Sequence, residues 1–259
     1  MGRYPERIVA LAAEVPGILA ELDALDRVVG ISAYTTHPPE ALDKPKVSGF
    51  QHGSVDRILA QEPDLVILTS TVQANLARKL GARGATLIHL HPHRLSDVFQ
   101  TIRLLGNVVG EAARAEALVH RLSGELEAVR GRGRALARHP RVYFEEWMDP
   151  LVAGIGWVSD LVEIAGGYDV FRARATAGRL AQDRVVSLDE WRQAHFDVML
   201  ASWCGKPFDP AVVRRRPGAE TVPAVRTGRL YAIDGSILEC GVRVAEHARK
   251  LLALFEHCQ

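Results

Sequence analysis

Two short blocks of the chain share the same order of polar and apolar positions. Residues 54–70 and 187–202 each begin with Ser, carry Asp two positions later, and reach a second Asp directly before an unbroken apolar run. They align at an offset of 133 residues, which places Ser54 on Ser187. Ser followed by an early acid favours a helix start, and unbroken apolar runs are typical of parallel strands buried on both faces. The repeat therefore predicts two similar α/β lobes.

The other apolar runs extend this pattern before and after each block. For the first lobe we predict four strands, and for the second lobe we predict a strand, a loop around Pro150 and Gly154, a helix that ends at a Gly pair, and a polar loop before the repeated block. Predicted strands cover 7–11, 28–32, 65–68 and 86–90, then 141–144, 198–200 and 230–233; predicted helices cover 14–25, 72–80, 96–105, 157–165 and 242–255; the polar loop covers 173–184.

Residues 111–137 predict one long helix between the lobes. Apolar side chains recur there at helical spacing, and a helix of that length would be roughly 40 Å long. The fold class is therefore α/β, with two Rossmann-like lobes joined by a single long backbone helix and a ligand cleft between the lobes. The predicted domains are residues 1–106, the linking helix 107–139, and residues 140–259. A stiff connection of this kind favours a small tilt of the lobes on binding.

Composition excludes several classes of protein. The 259 residues are 47% hydrophobic and carry a net charge of +1, so we expect a sizeable core and no footprint for nucleic acid or membrane. There is no run of about 18 apolar residues, which a membrane-spanning helix would need. The first residues lead into a strand without an apolar targeting region. Hence we expect an extracytoplasmic protein whose targeting segment has been removed, or else a cytoplasmic one.

Motif searches give no support for an enzyme. The chain has no dinucleotide-binding glycine motif, phosphate loop, nucleophile elbow or His-Glu-x-x-His helix. Three cysteines lack metal or disulfide spacing, and Cys204 alone is a weak candidate nucleophile. We therefore expect no catalytic residues and no cofactor.

Several side chains follow predicted strands, at the edge where open α/β sheets bind ligands. The loop after the second strand contains Tyr34 and His37, and a later glycine-flanked loop contains Phe50, Gln51 and His52. In the second lobe, Glu146, Trp147 and Trp203 end strands, and an indole there is suited to stacking on a flat macrocycle. These eight residues are the candidate ligand-binding residues: Tyr34, His37, Phe50, Gln51, His52, Glu146, Trp147 and Trp203.

Three alternating histidines also suggest two interpretations. His89, His91 and His93 would share one face if their strand extended that far, although Pro92 argues against it. Clustered imidazoles favour a metal ion, whereas strand histidines are often hydrogen-bonded core residues. Because acidic or cysteine partners at metal spacing are missing nearby, we expect no metal site.

Five segments together resemble a known family. The chain is similar to the cobalamin- and siderophore-binding proteins of ABC importers that have a helical backbone, and most similar to the cobalamin-binding branch. The matching segments are Arg7-Ile8-Val9-Ala10-Leu11, Val28-Val29-Gly30-Ile31-Ser32-Ala33-Tyr34 with Pro38-Pro39, Val47-Ser48-Gly49-Phe50, Ser54-Val55-Asp56-Arg57-Ile58-Leu59-Ala60 with Pro63-Asp64-Leu65-Val66, and Ile164-Ala165-Gly166-Gly167.

The resemblance implies a function and partners. Tyr34 and Phe50 would line the cleft for a corrinoid, and the acids Asp56 and Asp189, one per lobe, would dock on arginines of a membrane permease. The implied protein is a monomeric substrate-binding protein of an ABC importer, with a bulky metal chelate such as cobalamin as ligand and a permease dimer with its ATPase as partner. Open alternatives are an iron-siderophore or heme binding protein, and a cytoplasmic corrinoid carrier, sensor or corrinoid-modifying enzyme.

Overall fold

The strands and helices are those of a computed structural model, which describes residues 4–49 and 53–258. The strands are β1 (Ile8–Ala10), β2 (Val28–Ser32), β3 (Lys46–Ser48), β4 (Leu65–Thr69), β5 (Leu87–Leu90), β6 (Arg141–Met148), β7 (Leu151–Ala153), β8 (Tyr168–Asp169), β9 (Val185–Val186), β10 (Val198–Ala201) and β11 (Leu230–Ala232). The helices are α1 (Val15–Glu21), α2 (Val55–Leu59), α3 (Ala74–Gly81), α4 (Leu95–Val109), α5 (Ala112–Arg134), α6 (Gly156–Ile164), α7 (Arg172–Ala177), α8 (Leu188–Gln193), α9 (Pro210–Arg214), α10 (Pro223–Arg226) and α11 (Val244–His257).

The first sheet is parallel and has the strand order β3-β2-β1-β4-β5. Strand β1 and all of β4 except Thr69 are buried, which explains their unbroken apolar sequences. The prediction of four strands was wrong, because Lys46–Ser48 adds a fifth strand at the edge. The predicted helix over 14–25 is also shorter, since α1 ends at Glu21 and Asp23 adopts a positive φ of 57°.

The second sheet has the order β11-β10-β6-β7-β9, and β8 also pairs with β6. Strands β6, β10 and β11 are parallel, whereas β7 runs antiparallel to β6. Two predicted loops were therefore wrong. Part of the loop around Pro150 and Gly154 is strand β7, which forms a hairpin with β6, and the segment 173–184 contains most of helix α7 and a 3₁₀ turn at Ala181–Arg184.

The long helix is present as α5, with 23 residues. It is shorter than the predicted 111–137. It begins after Gly110, whose φ of +82° ends α4, and it stops at Arg134, beyond Gly131 and Gly133. Two sheets of mainly parallel strands and this helix confirm the predicted α/β fold class.

Both repeated blocks are fixed to their sheets by the same hydrogen bonds. In the first unit, Arg7 donates from its guanidinium to the carbonyls of Gln61 and Glu62 at 2.6 and 3.0 Å, and the Asp64 carboxylate accepts from the Arg7 backbone N–H. Here we call this set of bonds the arginine clamp. It holds the residues that follow α2 against the residue that precedes β1.

The second unit repeats the clamp. Arg141 donates to the carbonyls of Ala194 and His195 at 2.8 and 3.0 Å, and Asp197 accepts from the Arg141 N–H. Glu62 and His195, which correspond at the 133-residue offset, both adopt a positive φ. The sequence repeat is therefore also a repeat of detailed local structure.

The described chain divides into two compact units that are not continuous in sequence. The first comprises the described residues of Met1–Pro92, Ser96–Leu122 and Glu239–Val242, and the second comprises those of His93–Leu95, Ser123–Leu238 and Arg243–Gln259. Each unit thus receives a short segment from a distant part of the chain.

Among the described residues, every helix is too short or too polar to cross a membrane.

Candidate functional site

The loop after β2 lies at the carboxyl edge of the first sheet. The Tyr34 side chain is 55% exposed, and its backbone N–H donates to the Ser32 hydroxyl at 3.2 Å. Thr36 donates from its hydroxyl to the Glu239 carboxylate at 3.1 Å, across 203 residues of sequence. His37 is half-buried, and a Cβ on Gly17 would lie 3.2 Å from its Cδ2 atom. The loop is therefore packed and tied at several points, with the Tyr34 ring projecting from it.

Three predicted ligand-binding residues, Phe50, Gln51 and His52, lie outside the described residues. The residues on either side, Ser48 and Gly53, form an antiparallel bridge. A Cβ on Gly53 would lie 2.6 Å from the Ser48 hydroxyl oxygen and 2.8 Å from Leu76 Cδ2, so a larger residue here would displace both side chains.

A buried acid lies behind the same loop. Glu14 follows β1 and is 7% exposed, and burial raises its pKa to about 7, with Glu239 adding a smaller effect in the same direction. The segment that carries Glu239 packs against it, since a Cβ on Gly241 would lie 3.1 Å from the Glu14 Cβ. Near neutral pH this carboxyl group is therefore partly protonated.

The three histidines differ in their contacts. The His89 and His91 rings lie 4.3 Å apart, and His89 Nε2 contacts the Ser70 carbonyl at 2.7 Å. His93 is buried in the second unit, where its Nε2 contacts the Thr176 carbonyl at 3.1 Å. In the described chain, no group of three or more His, Cys, Asp or Glu side chains is placed to hold a metal ion.

The carboxyl end of β6 in the second unit contains a buried ionic network. Glu145 is fully buried and accepts two hydrogen bonds from Arg216, each 2.7 Å long. It also accepts from the Tyr143 hydroxyl at 3.0 Å and from the Trp203 indole at 2.9 Å. Because a buried carboxylate is costly unless it is paired, these four hydrogen bonds offset the burial of Glu145.

The adjacent residue makes a second ion pair. Glu146 binds Arg184 at 2.5 and 3.1 Å, and Arg184 also donates to the Ala153 carbonyl at 2.6 Å. The Arg184 side chain is 3% exposed and the Glu146 side chain 16%. Desolvation, with Glu146 as a smaller influence, raises the pKa of Cys204 to about 12. A thiol with that pKa is protonated at neutral pH and is a poor nucleophile.

The two predicted ligand-facing tryptophans differ in their surroundings. Trp203 is 3% exposed, donates to Glu145 and packs edge-on against Phe208, with 5.0 Å between ring centroids. Trp147 is half-buried, and its indole donates to the Asp149 carbonyl at 2.8 Å. Only Trp147 of the pair therefore presents much ring surface.

The two acids predicted to dock on a permease occupy equivalent positions. Asp56 lies in the first turn of α2 and Asp189 in the first turn of α8, and both helices are capped by a Ser hydroxyl. Their side chains are 83% and 73% exposed. Asp56 pairs with Arg83 at 3.1 Å, and Asp189 pairs with Arg192 on its own helix.

The sequence did not reveal the ion-pair and hydrogen-bond partners of Glu145, Glu146 and Thr36. Arg184 and Arg216 lie 38 and 71 residues from the glutamates that they bind, and Glu239 lies 203 residues from Thr36. No local pattern marks them, because each becomes a neighbour only through the tertiary fold.

The fold and the polar groups at the strand ends are those of a two-unit α/β binding protein. The chain belongs to the periplasmic binding protein family, which its residues 8–237 match.

Relatives of the chain cover nearly all of it. It is 29% identical to the cobalamin-binding protein of Halobacterium salinarum, over 98% of this chain and 70% of that one. It is 21% identical to the uncharacterized ABC transporter substrate-binding lipoprotein YvrC of Bacillus subtilis, over 96% and 79%. The periplasmic heme-binding protein RhuT of Roseiflexus sp. RS-1 has a similar structure, with a TM-score of 0.80, 26% identity and 98% of each chain covered. The chain is therefore a binding protein rather than an enzyme, as expected.

Proposed function

We propose that this protein is the extracytoplasmic substrate-binding protein of an ABC importer, and that it binds cobalamin or a related corrinoid. The observation that carries the proposal is the 29% identity, over 98% of the chain, with a protein named for cobalamin binding. Heme is the second candidate, because the structural relative RhuT is named for heme binding and shares 26% of its sequence. Both ligands offer a wide, largely apolar ring system with polar groups at its edge.

In this proposal, exposed aromatic groups at the carboxyl ends of strands contact the ligand. The exposure of Tyr34 and the ring surface of Trp147 support direct contact of these two side chains with the ligand. His37 is half-buried in the same loop as Tyr34, and we propose that it contacts the ligand next to Tyr34. Phe50, Gln51 and His52 remain proposed ligand contacts.

Two of the predicted contacts receive different roles. Trp203 is buried against Glu145, and Glu146 is neutralised by Arg184. In the proposal these two residues therefore support the binding surface from beneath, rather than contacting the ligand directly.

Calorimetric titration of the purified protein with cyanocobalamin, and in parallel with heme and a ferric hydroxamate, tests the ligand. We expect cyanocobalamin to bind, and Tyr34→Ala to weaken binding at least tenfold through lost ring contact. Tyr168→Ala is the matched control, because Tyr168 is 51% exposed but pairs with the first residue of β6, at the opposite edge of its sheet. Binding of heme alone would move the function to iron uptake, and binding of none of the three would refute the proposal.

We also propose that Asp56 and Asp189 bind the permease. Reconstituted transport with the cognate permease and ATPase tests this. We expect Asp56→Lys and Asp189→Lys each to reduce transport several-fold and together to abolish it, while ligand affinity stays unchanged, because like charges at an interface repel. Asp43→Lys, an exposed acid in the loop before β3, is the control. Full transport by the double variant would contradict the docking role.

A further inference from the structure

Lys206 lies on the tight turn that follows β10. The turn covers residues 203–206, is closed by a hydrogen bond from the Lys206 N–H to the Trp203 carbonyl at 2.6 Å, and has positive φ at Cys204 and Gly205. Lys206 is exposed, and its Nζ lies 4.6 Å from the centroid of the Trp147 ring. The turn therefore places an ammonium group against the aromatic surface at the carboxyl edge of the second sheet.

Both partners of this contact are held in place. The Trp147 indole is fixed by its bond to the Asp149 carbonyl. The turn is fixed through Trp203, which is anchored on the buried Glu145 and packs against Phe208. The position of the ammonium group is therefore set by the core of the second unit rather than by the lysine side chain alone.

The nearby charges leave this lysine without an acidic partner. Glu145 is neutralised by Arg216, and Glu146 by Arg184. Asp209 accepts from the backbone N–H of Ala211 at the start of α9. Within the described residues, Lys206 has no carboxylate at ion-pair distance, and the ring beside it offers only a modest attraction to the cation. A ligand with an anionic group near Trp147 would pair that group with the Lys206 ammonium and would also contact the Trp147 ring.

We propose that Lys206 and Trp147 form a subsite for an anionic group at the edge of the ligand, a phosphodiester or a carboxylate. This proposal rests on the proposed function, and it adds that the protein prefers chelates with an anionic group. Lys206 donates to the anion while the adjacent ligand ring or chain packs on the indole. Ligands that carry such a group bind more tightly than otherwise similar neutral ones.

Two pairs of ligands, one anionic and one neutral member in each, test the subsite through the effect of one substitution on each member. Cyanocobalamin carries a phosphodiester that dicyanocobinamide lacks, and heme carries two carboxylates that heme dimethyl ester lacks. We expect Lys206→Met, which keeps an unbranched apolar side chain without its charge, to weaken binding of the anionic member roughly tenfold or more, as for loss of a charge-assisted hydrogen bond. The neutral member should be unaffected, and Lys206→Arg should retain most of the affinity.

Lys79→Met is the control for loss of one positive charge, because Lys79 is exposed in the last turn of α3, in the first unit. The pair that responds shows whether the anion is a phosphodiester or a carboxylate. Equal loss for anionic and neutral ligands, or no loss, would overturn the subsite while wild-type binding still supported the proposed function. Failure of the wild-type protein to bind any of the four would overturn both.

Discussion

The two units begin their central strands alike and end them differently. The arginine clamps on Arg7 and Arg141 share the same main hydrogen bonds at the amino ends of β1 and β6. At the carboxyl ends, the first unit has hydroxyl groups and one buried, partly protonated acid, Glu14, whereas the second unit has two ion pairs, Glu145–Arg216 and Glu146–Arg184. The amino edge therefore preserves the shared architecture, and the carboxyl edges give each unit its own chemistry.

This difference determines how each unit responds to charge. An ion pair buried with its hydrogen bonds is insensitive to moderate changes of pH but intolerant of losing one partner. A buried single acid tolerates substitution by a neutral group but changes with pH. The predictions below use this contrast.

The largest effect is expected at the buried ion pair of the second unit. Arg216→Ala leaves the fully buried Glu145 without its bidentate partner, and we expect a loss of about 3–5 kcal/mol in the free energy of unfolding. Denaturant unfolding followed by tryptophan fluorescence measures it. Arg103→Ala removes an exposed ion pair of the first unit and should leave stability unchanged within error. Equal effects would mean that the buried network contributes no more than a surface pair.

The buried acid of the first unit should make stability fall as pH rises. The unfolded chain loses the Glu14 proton near the ordinary value of 4.5, whereas the folded chain keeps it until about pH 7. Stability from this group is thus present below pH 4.5 and lost by pH 7, by up to about 3 kcal/mol. We expect Glu14→Gln to be more stable than wild type at pH 8 and equal to it at pH 4.5. Glu40→Gln, at an exposed position, should match wild type at both pH values in thermal unfolding.

The second unit should show the opposite pH response through His247. Burial lowers the pKa of this imidazole to about 4, next to Ser236 at 3.4 Å. The unfolded chain takes up a proton near pH 6.5, but the folded chain resists it until about pH 4, so stability is lost as pH falls through that window, by up to about 3 kcal/mol. In His247→Gln this acid-induced loss should shrink. An unchanged pH profile in the variant would assign the acid sensitivity to other groups.

The smallest effect is expected at the feature that the units share. Asp64→Ala and Asp197→Ala each remove a carboxylate that accepts the backbone N–H of the clamp arginine, and each should cost about 1–2 kcal/mol in the free energy of unfolding. Similar losses would show that the repeated clamp contributes equally to both units. A much larger loss for one variant would show that the structural repeat is not an energetic one.

Sequence alone predicted the elements whose pattern is local. The apolar runs of β1, β4 and β10 and the Ser-capped helices α2 and α8 could be predicted because burial and capping depend on neighbouring residues. Strand β3 was missed because only three residues, Lys46–Ser48, form it at a sheet edge. Strand β7 was missed because its three residues follow Pro150 within a stretch rich in turn residues.

The surroundings of the proposed site residues could be predicted only in part, because their partners come from distant segments of the chain. Tyr34 and Trp147 stay predictions, made from their positions after strands. The burial of Trp203 and the pairing of Glu146 could not be predicted, since both depend on partners from separate segments, Glu145 and Arg184. Lys206 was overlooked because the sequence does not show that the turn over residues 203–206 brings this lysine next to the Trp147 ring.

The division of the sequence between the units also has a consequence for synthesis. The ribosome releases the chain from its amino end, but the first unit includes Glu239–Val242, and Glu239 holds the loop through Thr36. Domains generally fold as units during translation, from the amino end onward. Here the first unit is complete only after Glu239–Val242 have emerged, behind most of the second unit. The Tyr34 loop is therefore secured after the strands of the second unit have been synthesised, so the first unit cannot finish folding before the second is largely made.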